Sequence, residues 1–175
     1  MTIRTAFPAR RLWLVLALLA PLLTAPLARA ADAVPRIGIY DSRAVAMAYA
    51  GSSAYRQKMD DLKARHQLAL QAGDRQAAAH LQAEGKAWQS TLHRQGFGTA
   101  PVDDLLAHIQ AELPRIHREA GVSQLISKWD LPALARHPVA ERIDLTMQLV
   151  DAFAPTAGQR QHALDIQRKA PEPTP

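Results

Sequence analysis

The sequence predicts an α+β fold in which a small β-sheet body with packed helices carries a protruding α-helical hairpin. The main observation is a stretch of 43 residues, 53–95, that is polar, rich in alanine and free of proline. Such a stretch is too hydrophilic to form a core and is typical of a solvated helical arm. A short β-prone run precedes it, and an amphipathic helical pattern follows it. We therefore expect the flanking segments to form the body, and residues 53–95, the arm, to project from it.

The first thirty residues have the pattern of a secretory signal peptide. Three arginines precede an apolar run from Leu12 to Leu23, and Ala28-Arg29-Ala30 supplies small residues for cleavage. The run is shorter than a membrane span requires, and no cysteine follows it, which excludes a lipoprotein anchor. We expect cleavage after Ala30, a periplasmic location and no integral membrane span in the mature protein. A retained N-terminal anchor is the alternative.

The charge balance argues against a nucleic-acid partner. The chain has 21 Lys and Arg against 16 Asp and Glu, and four of the arginines lie in the signal peptide. The mature chain therefore has 17 basic and 16 acidic residues and a net charge of +1. This balance is unlike the concentrated positive charge of nucleic-acid-binding domains. Because the chain has no cysteine, disulfide and thiol chemistry are also excluded.

The mature chain opens with a strand and a short helix. The β-prone run Arg36–Tyr40 lies between a proline and an aspartate, which predicts a strand. Asp41 or Ser42 then caps a short helix that ends at Gly51.

Two antiparallel helices, roughly 54–72 and 75–94, are predicted for the arm. Gly73-Asp74 is a turn signal, so the tip is expected at residues 72–74. One continuous helix across Gly73 is the alternative. The residues whose spacing places them in the seam between the two helices are Tyr55, Met59, Leu62, His66, Ala69, Ala77, Leu81, Trp88 and Leu92.

The segment after the arm predicts an amphipathic helix. Residues 96–101 break the arm, and Pro101 suits a first helical position. Pro114 is expected to bend this helix and Gly121 to end it. Its apolar stripe consists of Val102, Leu105, Leu106, Ile109, Leu113 and Ile116.

Two strands and a last helix complete the prediction. Val122–Trp129 reads as the second strand and Leu131–Ala135 as a short third one. Residues 143–146 introduce a final helix, which presents Leu145, Leu149, Val150 and Phe153 on one face. Residues 154–175 are polar, with three prolines at the end, and are expected to form a disordered tail.

The order of these elements resembles the OmpH/Skp-like family of periplasmic chaperones. The opening run Arg36–Val45, the helix end Ala120-Gly121-Val122 and the segment Ile143–Thr146 carry the resemblance. It spans about residues 36–153, within a single predicted domain of residues 31–153. The resemblance implies a jellyfish-like trimer whose helical arms enclose unfolded outer-membrane proteins as clients. The arm of this chain is shorter than in typical members, and the break at residues 96–101 has no counterpart there.

No pattern predicts catalysis, so we assign no catalytic, cofactor-binding or metal residue and expect the protein not to be an enzyme. The sequence has no HExxH or GxSxG motif, and Gly96-Phe97-Gly98 lacks the third glycine of a dinucleotide loop. The leading hypothesis is a chaperone-like or scaffolding homo-oligomer, expected to be a trimer, that binds unfolded or envelope proteins through the arm.

The alternative is a periplasmic ligand- or metal-sensing helical protein. Asp104, His108 and Glu112 are spaced at i, i+4 and i+8, which places O and N ligands on one helical face. His66, His80 and His93 share no face of a continuous helix.

Overall fold

A computed structural model of the protein describes residues 34–173. The predicted signal peptide, residues 1–30, lies outside the described residues. The described part confirms the α+β fold, with eight α-helices and one three-stranded sheet. None of the helices between residues 34 and 173 combines the length and the apolar character needed to cross a lipid bilayer.

The three strands form a parallel sheet with the first strand in the middle. Strand β1, Arg36–Tyr40, has the predicted bounds; β2, Leu125–Ser127, and β3, Glu141–Asp144, pair with its two edges. Parallel neighbours need long crossover connections, and the connection from β1 to β2 contains the arm. The arm is therefore an insertion between two adjacent strands of one sheet.

Eight helices accompany this sheet in the described part of the chain. A short 3-10 turn, Ala107–Ile109, follows the fourth of them directly. In chain order they are α1 (Ser42–Gly51), α2 (Ser53–Gln71), α3 (Arg75–Phe97), α4 (Asp103–Leu106), α5 (Leu113–Ala120), α6 (Leu131–Ala135), α7 (Thr146–Asp151) and α8 (Ala157–Gln167).

The two faces of the sheet carry separate hydrophobic clusters. Ile37 and Ile126 pack on one face against Ala133 and Leu134 of α6. The larger cluster, on the opposite face, draws its buried residues from α1, α4, α5, α7 and α8. Gly38 permits this close packing, because a Cβ there would lie 2.6 Å from the side chain of Leu145. The body is thus a three-layer arrangement with its main core on the α1 side.

β2 is shorter than the predicted strand Val122–Trp129. Gly121 ends α5 in the left-handed conformation, with φ 64°, and Val122 N–H still bonds to a carbonyl of α5 at 3.0 Å. At the other end, the N–H of Asp130 bonds to the carbonyl of Ser127 at 3.0 Å and turns the chain. The two turns leave three residues to pair with β1.

The prediction of a third strand at Leu131–Ala135 is wrong. These residues form α6, because the Asp130 carboxylate accepts a hydrogen bond from the N–H of Ala133 at 2.9 Å and caps the helix. Pro132 lies in the first turn, where a missing N–H costs no hydrogen bond. The third strand is β3, whose four residues include three exposed ones, so it lacks the apolar alternation by which strands are recognised.

The arm is a helical hairpin, as predicted, and the alternative of one continuous helix is wrong. The chain turns at residues 72–74, where Gly73 has φ 70°, a conformation that favours glycine. The Asp74 side chain accepts a hydrogen bond from the N–H of Ala77 at 2.9 Å and starts α3. The sequence Gly-Asp therefore encodes both the end of one helix and the beginning of the next.

The prediction of one long helix after the arm is also wrong. α4 begins at Asp103 rather than Pro101, passes into the 3-10 turn and ends, and α5 begins again at Leu113. Pro114 lies in the first turn of α5, so it begins a helix instead of bending one. A proline ring clashes with the carbonyl four residues earlier, which prevents an uninterrupted helix here. The predicted stripe is nevertheless buried at Val102, Leu105, Leu106, Ile109 and Ile116.

The predicted disordered tail contains a packed helix. α7 begins at Thr146 as expected, but α8 follows it and packs against α1. Thr156 and Gln159 form a capping box, and Ala163 and Ile166 are buried. With only these two buried residues, α8 has too little apolar surface to be recognised from composition. The domain therefore extends beyond the predicted boundary at residue 153.

We expect Ile109→Ala to lower the free energy of unfolding by about 2–5 kcal/mol, from lost transfer energy and the cavity left behind. Ile109 is buried in the main core, on the α1 side of the sheet. Leu81→Ala is the matched variant on the arm, where two helices alone enclose the side chain. It should lower the free energy of unfolding by less than about half as much as Ile109→Ala. Urea denaturation measures both. Equal losses would mean that the outer arm is as much core as the body.

Candidate functional site

The base of the arm belongs to the core of the body. The rings of Tyr55 and Trp88 stack across the two helices with centroids 5.1 Å apart, and Tyr49 of α1 meets Tyr55 edge-on at 6.1 Å. Tyr55, Trp88 and Leu92 all pack against the main cluster. The expectation that Trp88 packs in the seam is therefore confirmed, and the base holds the hairpin rigidly on the body.

Beyond this base the seam of the arm is thin. Among the residues of α2 and α3 farther from the body than Trp88, only Leu62, Ala78 and Leu81 are buried. Near the tip, Leu68 and Leu70 are 64% and 51% exposed. Few apolar contacts stabilise the outer arm, so its local stability is expected to be low compared with that of the body.

A groove of about 230 Å³ lies along the outer arm, between α2 and α3. Its apolar part is formed by Met59 and Leu62 of α2 and by Leu81 and Gly85 of α3. Gly85 leaves the groove open, because a Cβ at this position would have no neighbour within 4 Å. The volume is below the ~300–1,000 Å³ typical of small-molecule pockets. The groove suits one or two apolar side chains rather than a whole cofactor.

The charged residues that line this groove are cationic. They are Lys63 on the α2 side and Lys86 on the α3 side, and no carboxylate lines the groove. Among the lysines and arginines of the arm, only Arg65 forms an ion pair within residues 34–173, with Asp61 at 3.3 Å and Glu84 at 3.9 Å. Lys63 and Lys86 are thus available to a negatively charged ligand at the groove.

A buried charge network joins the sheet to the helices that carry the arm. Asp41 follows β1 directly and is fully buried with Arg43, whose Nη2 lies 2.9 Å from Asp41 Oδ2. Lys128, just after β2, places its Nζ 2.7 Å from the same oxygen. The indole N–H of Trp129 donates to Asp41 Oδ1 at 3.2 Å, and Asp41 N–H donates to the hydroxyl of Thr146 at 2.9 Å. The side chain and backbone of this one aspartate therefore fix the ends of β1 and β2 and the starts of α1 and α7.

The ionised form of Asp41 is stabilised by this network. Burial by itself raises the pKa of this carboxyl, but hydrogen bonds from Arg43, Lys128 and Trp129 and the charge of Lys128 outweigh burial and lower the pKa below its ordinary value of 3.8. Arg43 is held in turn by the carbonyl of Lys169, which accepts from Nη1 at 2.9 Å. The network therefore also reaches the segment after α8.

The proposed metal residues are not brought together. Asp104 accepts a hydrogen bond from the Gln95 side chain at 2.7 Å, the ring of His108 lies 4.9 Å from that of Tyr49, and Glu112 pairs with Arg115 at 3.0 Å. The break between α4 and α5 removes the single helical face on which the metal hypothesis depended. Within residues 34–173, no group of three or more His, Asp and Glu side chains is placed to hold a metal ion.

The arm histidines are also dispersed. His66 lines the groove, whereas His93 lies at the base, where its Nε2 is 3.2 Å from a carboxylate oxygen of Glu172. His80 is exposed on the outer part of α3. The features that sequence analysis missed are the gap at Gly85 and the burial of Arg43. Glycine inside a helical pattern was the available signal for the first.

Comparisons with protein-family models, with curated proteins and with solved structures found no match for this chain. The resemblance to the OmpH/Skp-like family thus stays a prediction.

We expect Asp41→Asn to lower the free energy of unfolding by about 3–5 kcal/mol, because it leaves the buried guanidinium of Arg43 without a counter-charge. Asp61→Asn is the matched control. It removes one partner of an exposed ion pair on the arm and should cost no more than about 1 kcal/mol. Urea denaturation at neutral pH measures both variants, and similar losses would contradict the central role of Asp41.

The pH dependence of the free energy of unfolding gives a second test of the role of Asp41. Because the pKa of Asp41 is lowered in the folded state, its contribution is complete above the unfolded pKa near 3.8 and is lost as the pH falls through the lower folded value. The stability difference between the wild type and Asp41→Asn should therefore shrink below about pH 4. A difference that stays constant down to pH 2 would exclude ionised Asp41 as its source.

Proposed function

We propose that this protein is a periplasmic chaperone-like or scaffolding protein that binds unfolded or envelope proteins through its arm, without catalysis. The observation that carries the proposal is the groove of the outer arm, which is apolar at its centre and cationic at its sides. The groove lies on a hairpin whose base is anchored in the core and whose outer part depends on few contacts. This arrangement supports a binding surface held away from the body.

The proposed ligand is an unfolded segment in which one or two apolar residues are flanked by carboxylates. An apolar side chain fills the space beside Gly85 and contributes about 0.8 kcal/mol for each CH₂ group buried. Carboxylates pair with Lys63 and Lys86, and exposed pairs of this kind contribute about 0–1 kcal/mol each. A single groove therefore binds weakly and reversibly, as a protein that must release its clients requires.

Several arms acting together would strengthen this binding. In the proposed trimer, three grooves face the same client, and each segment bound raises the effective concentration of the next. The signal peptide predicted for residues 1–30 would deliver the protein to the periplasm, where unfolded outer-membrane proteins are the proposed clients. The proposed specificity is for apolar segments flanked by acidic residues, which many unfolded chains contain.

We expect Gly85→Leu to block client binding without unfolding the protein. The new side chain occupies the groove, and replacing a glycine inside a helix raises helix propensity by up to about 1 kcal/mol. Gly158→Leu is the matched control, because a Cβ at this glycine in α8 also has no neighbour within 4 Å. Light scattering during dilution of an unfolded outer-membrane protein from urea measures protection. Gly85→Leu should lose at least half of the activity, and Gly158→Leu should retain it.

Protection by Gly85→Leu at the wild-type level would place the client-binding surface outside the groove. Circular dichroism and urea denaturation establish that both variants are folded before activity is compared. Loss of activity in both variants would mean that the assay reports stability rather than binding.

We expect the double variant Lys63→Glu, Lys86→Glu to bind clients more weakly, and the defect to be larger at low salt. Exposed charges are screened over about 10 Å at 0.1 M salt, so the charge effect should diminish as salt is added. Arg118→Glu, Arg142→Glu is the matched control, since it makes the same charge change at exposed positions of the body. Fluorescence anisotropy of a labelled client, titrated at 20 mM and 500 mM salt, measures affinity. Equal defects in the two double variants would indicate a net-charge effect rather than a local one.

A further inference from the structure

A second cavity, of about 490 Å³, lies along the free edge of β2, away from the arm groove. Its lining includes four consecutive residues, Gln124 to Ser127. Successive side chains of a strand point to opposite faces of a sheet. A cavity that touches all four must therefore lie beside the edge of the strand rather than over one face. The volume is within the ~300–1,000 Å³ of small-ligand sites.

The edge of β2 presents backbone groups to this cavity. The carbonyl of Gln124 accepts from Gly38 N–H at 2.9 Å, and Lys128 N–H donates to the carbonyl of Tyr40 at 2.8 Å. The backbone groups of Ile126 therefore point toward β1, and those of Leu125 and Ser127 point outward. The outward carbonyl of Ser127 already accepts from the N–H of Asp130 at 3.0 Å, so the N–H and carbonyl of Leu125 and the N–H of Ser127 remain. In the order β2-β1-β3, no described strand lies beyond β2. Outward N–H and C=O groups of an edge strand are a template for another extended chain.

One end of the cavity is negative. Tyr40 is 6% exposed and lines the cavity, and its hydroxyl has no hydrogen-bond partner among residues 34–173. Burial, together with the charges of Asp103 and Asp130, raises the pKa of Tyr40 to about 12. Both carboxylates line the cavity, and neither forms an ion pair within the described residues. This end lacks a cation.

The other end is positive and polar. Gln124, Arg136 and His137 line it, with the Gln124 amide 2.7 Å from His137 Nε2. Arg136 forms no ion pair with any residue from 34 to 173. Asp130 and Arg136 flank the two ends of α6, whose five residues span about 7–8 Å. The two ends of the cavity therefore have opposite charge and are separated by about the length of three extended residues, ~10 Å.

We propose that this cavity binds a free short peptide of about three residues, extended antiparallel to β2 and paired with the N–H and carbonyl of Leu125 and with the N–H of Ser127. Its carboxylate lies at Arg136 and its terminal ammonium at Asp103 and Asp130, with the hydroxyl of Tyr40 beside it. The site is independent of the client-binding function proposed for the arm, because none of its residues lines the arm groove.

The test uses the tripeptide Ala-Val-Ala, its N-acetylated form and its C-terminal amide as probes for the full mature protein. Amide chemical shifts in ¹⁵N-labelled protein, titrated with millimolar peptide, report affinity and location. We expect saturable shifts at Leu125 and Ser127 with the free tripeptide. Each capped form should bind at least tenfold more weakly.

Two variants assign the ends of the peptide. Arg136→Gln should lower the affinity for the free tripeptide at least tenfold. It should leave the affinity for the C-terminal amide unchanged, because the amide has no carboxylate to pair with Arg136. Asp103→Asn should weaken the free tripeptide but not the N-acetyl form. Arg118→Gln, on exposed surface outside the cavity, is the control and should change nothing.

Three outcomes would overturn the proposal. The first is no saturable binding, including the case in which a second copy of this chain occupies the edge of β2. The second is equal affinity for free and capped peptides. The third is that the shifts map to the arm groove, which would mean that the peptide binds at the proposed client site instead. Failure of client protection by the arm would leave these shifts unaffected, so the two proposals are tested separately.

Discussion

The ion pair between Asp41 and Arg43 is the constraint on which the rest of the structure depends. A carboxylate buried immediately after β1 must be compensated, since an unpaired charge in the interior is strongly destabilising. The partners of Asp41 come from α1, from the end of β2 and, through its backbone N–H, from the start of α7, and Arg43 extends the network to the segment after α8. Breaking the pair between Asp41 and Arg43 leaves a buried charge, so the elements that meet here are fixed together. The arm inherits this rigidity because α1 leads directly into α2.

The arm consists of two parts that differ in how many contacts stabilise them. Its base is aromatic and packs on the main cluster, whereas its outer half is an alanine-lined pair of helices with exposed lysines. The proposed binding surface would benefit from this division, because the outer half can adapt to varied segments while the base keeps its position. Gly85, which opens the groove, is tolerated in α3 because the residues on both sides of it are strong helix formers.

The elements with strong local signals could be predicted from sequence, and those fixed by tertiary contacts could not. The strand at residues 36–40, the hairpin and its turn at Gly73 follow from apolar spacing and turn chemistry. α6 was mistaken for a strand because its short apolar run fits either structure, and the capping hydrogen bond of Asp130 decides between them. α8 was missed because α1 supplies most of its stabilising surface. Within the arm, residue spacing placed Trp88 and Leu81 in the seam, but a groove arises from the space between two helices and has no signature in either one alone.

The insertion of the arm between β1 and β2 has a consequence for how the chain reaches this structure. Gly38 pairs with Leu125 and with Ile143, so the middle strand cannot gain either neighbour until most of the domain has emerged. Contacts between residues so far apart in sequence form slowly, whereas a helical hairpin needs only local ones. During folding the arm helices therefore assemble first, while both edges of β1 are still unpaired. For that interval the chain is a partly folded polypeptide with an exposed apolar strand.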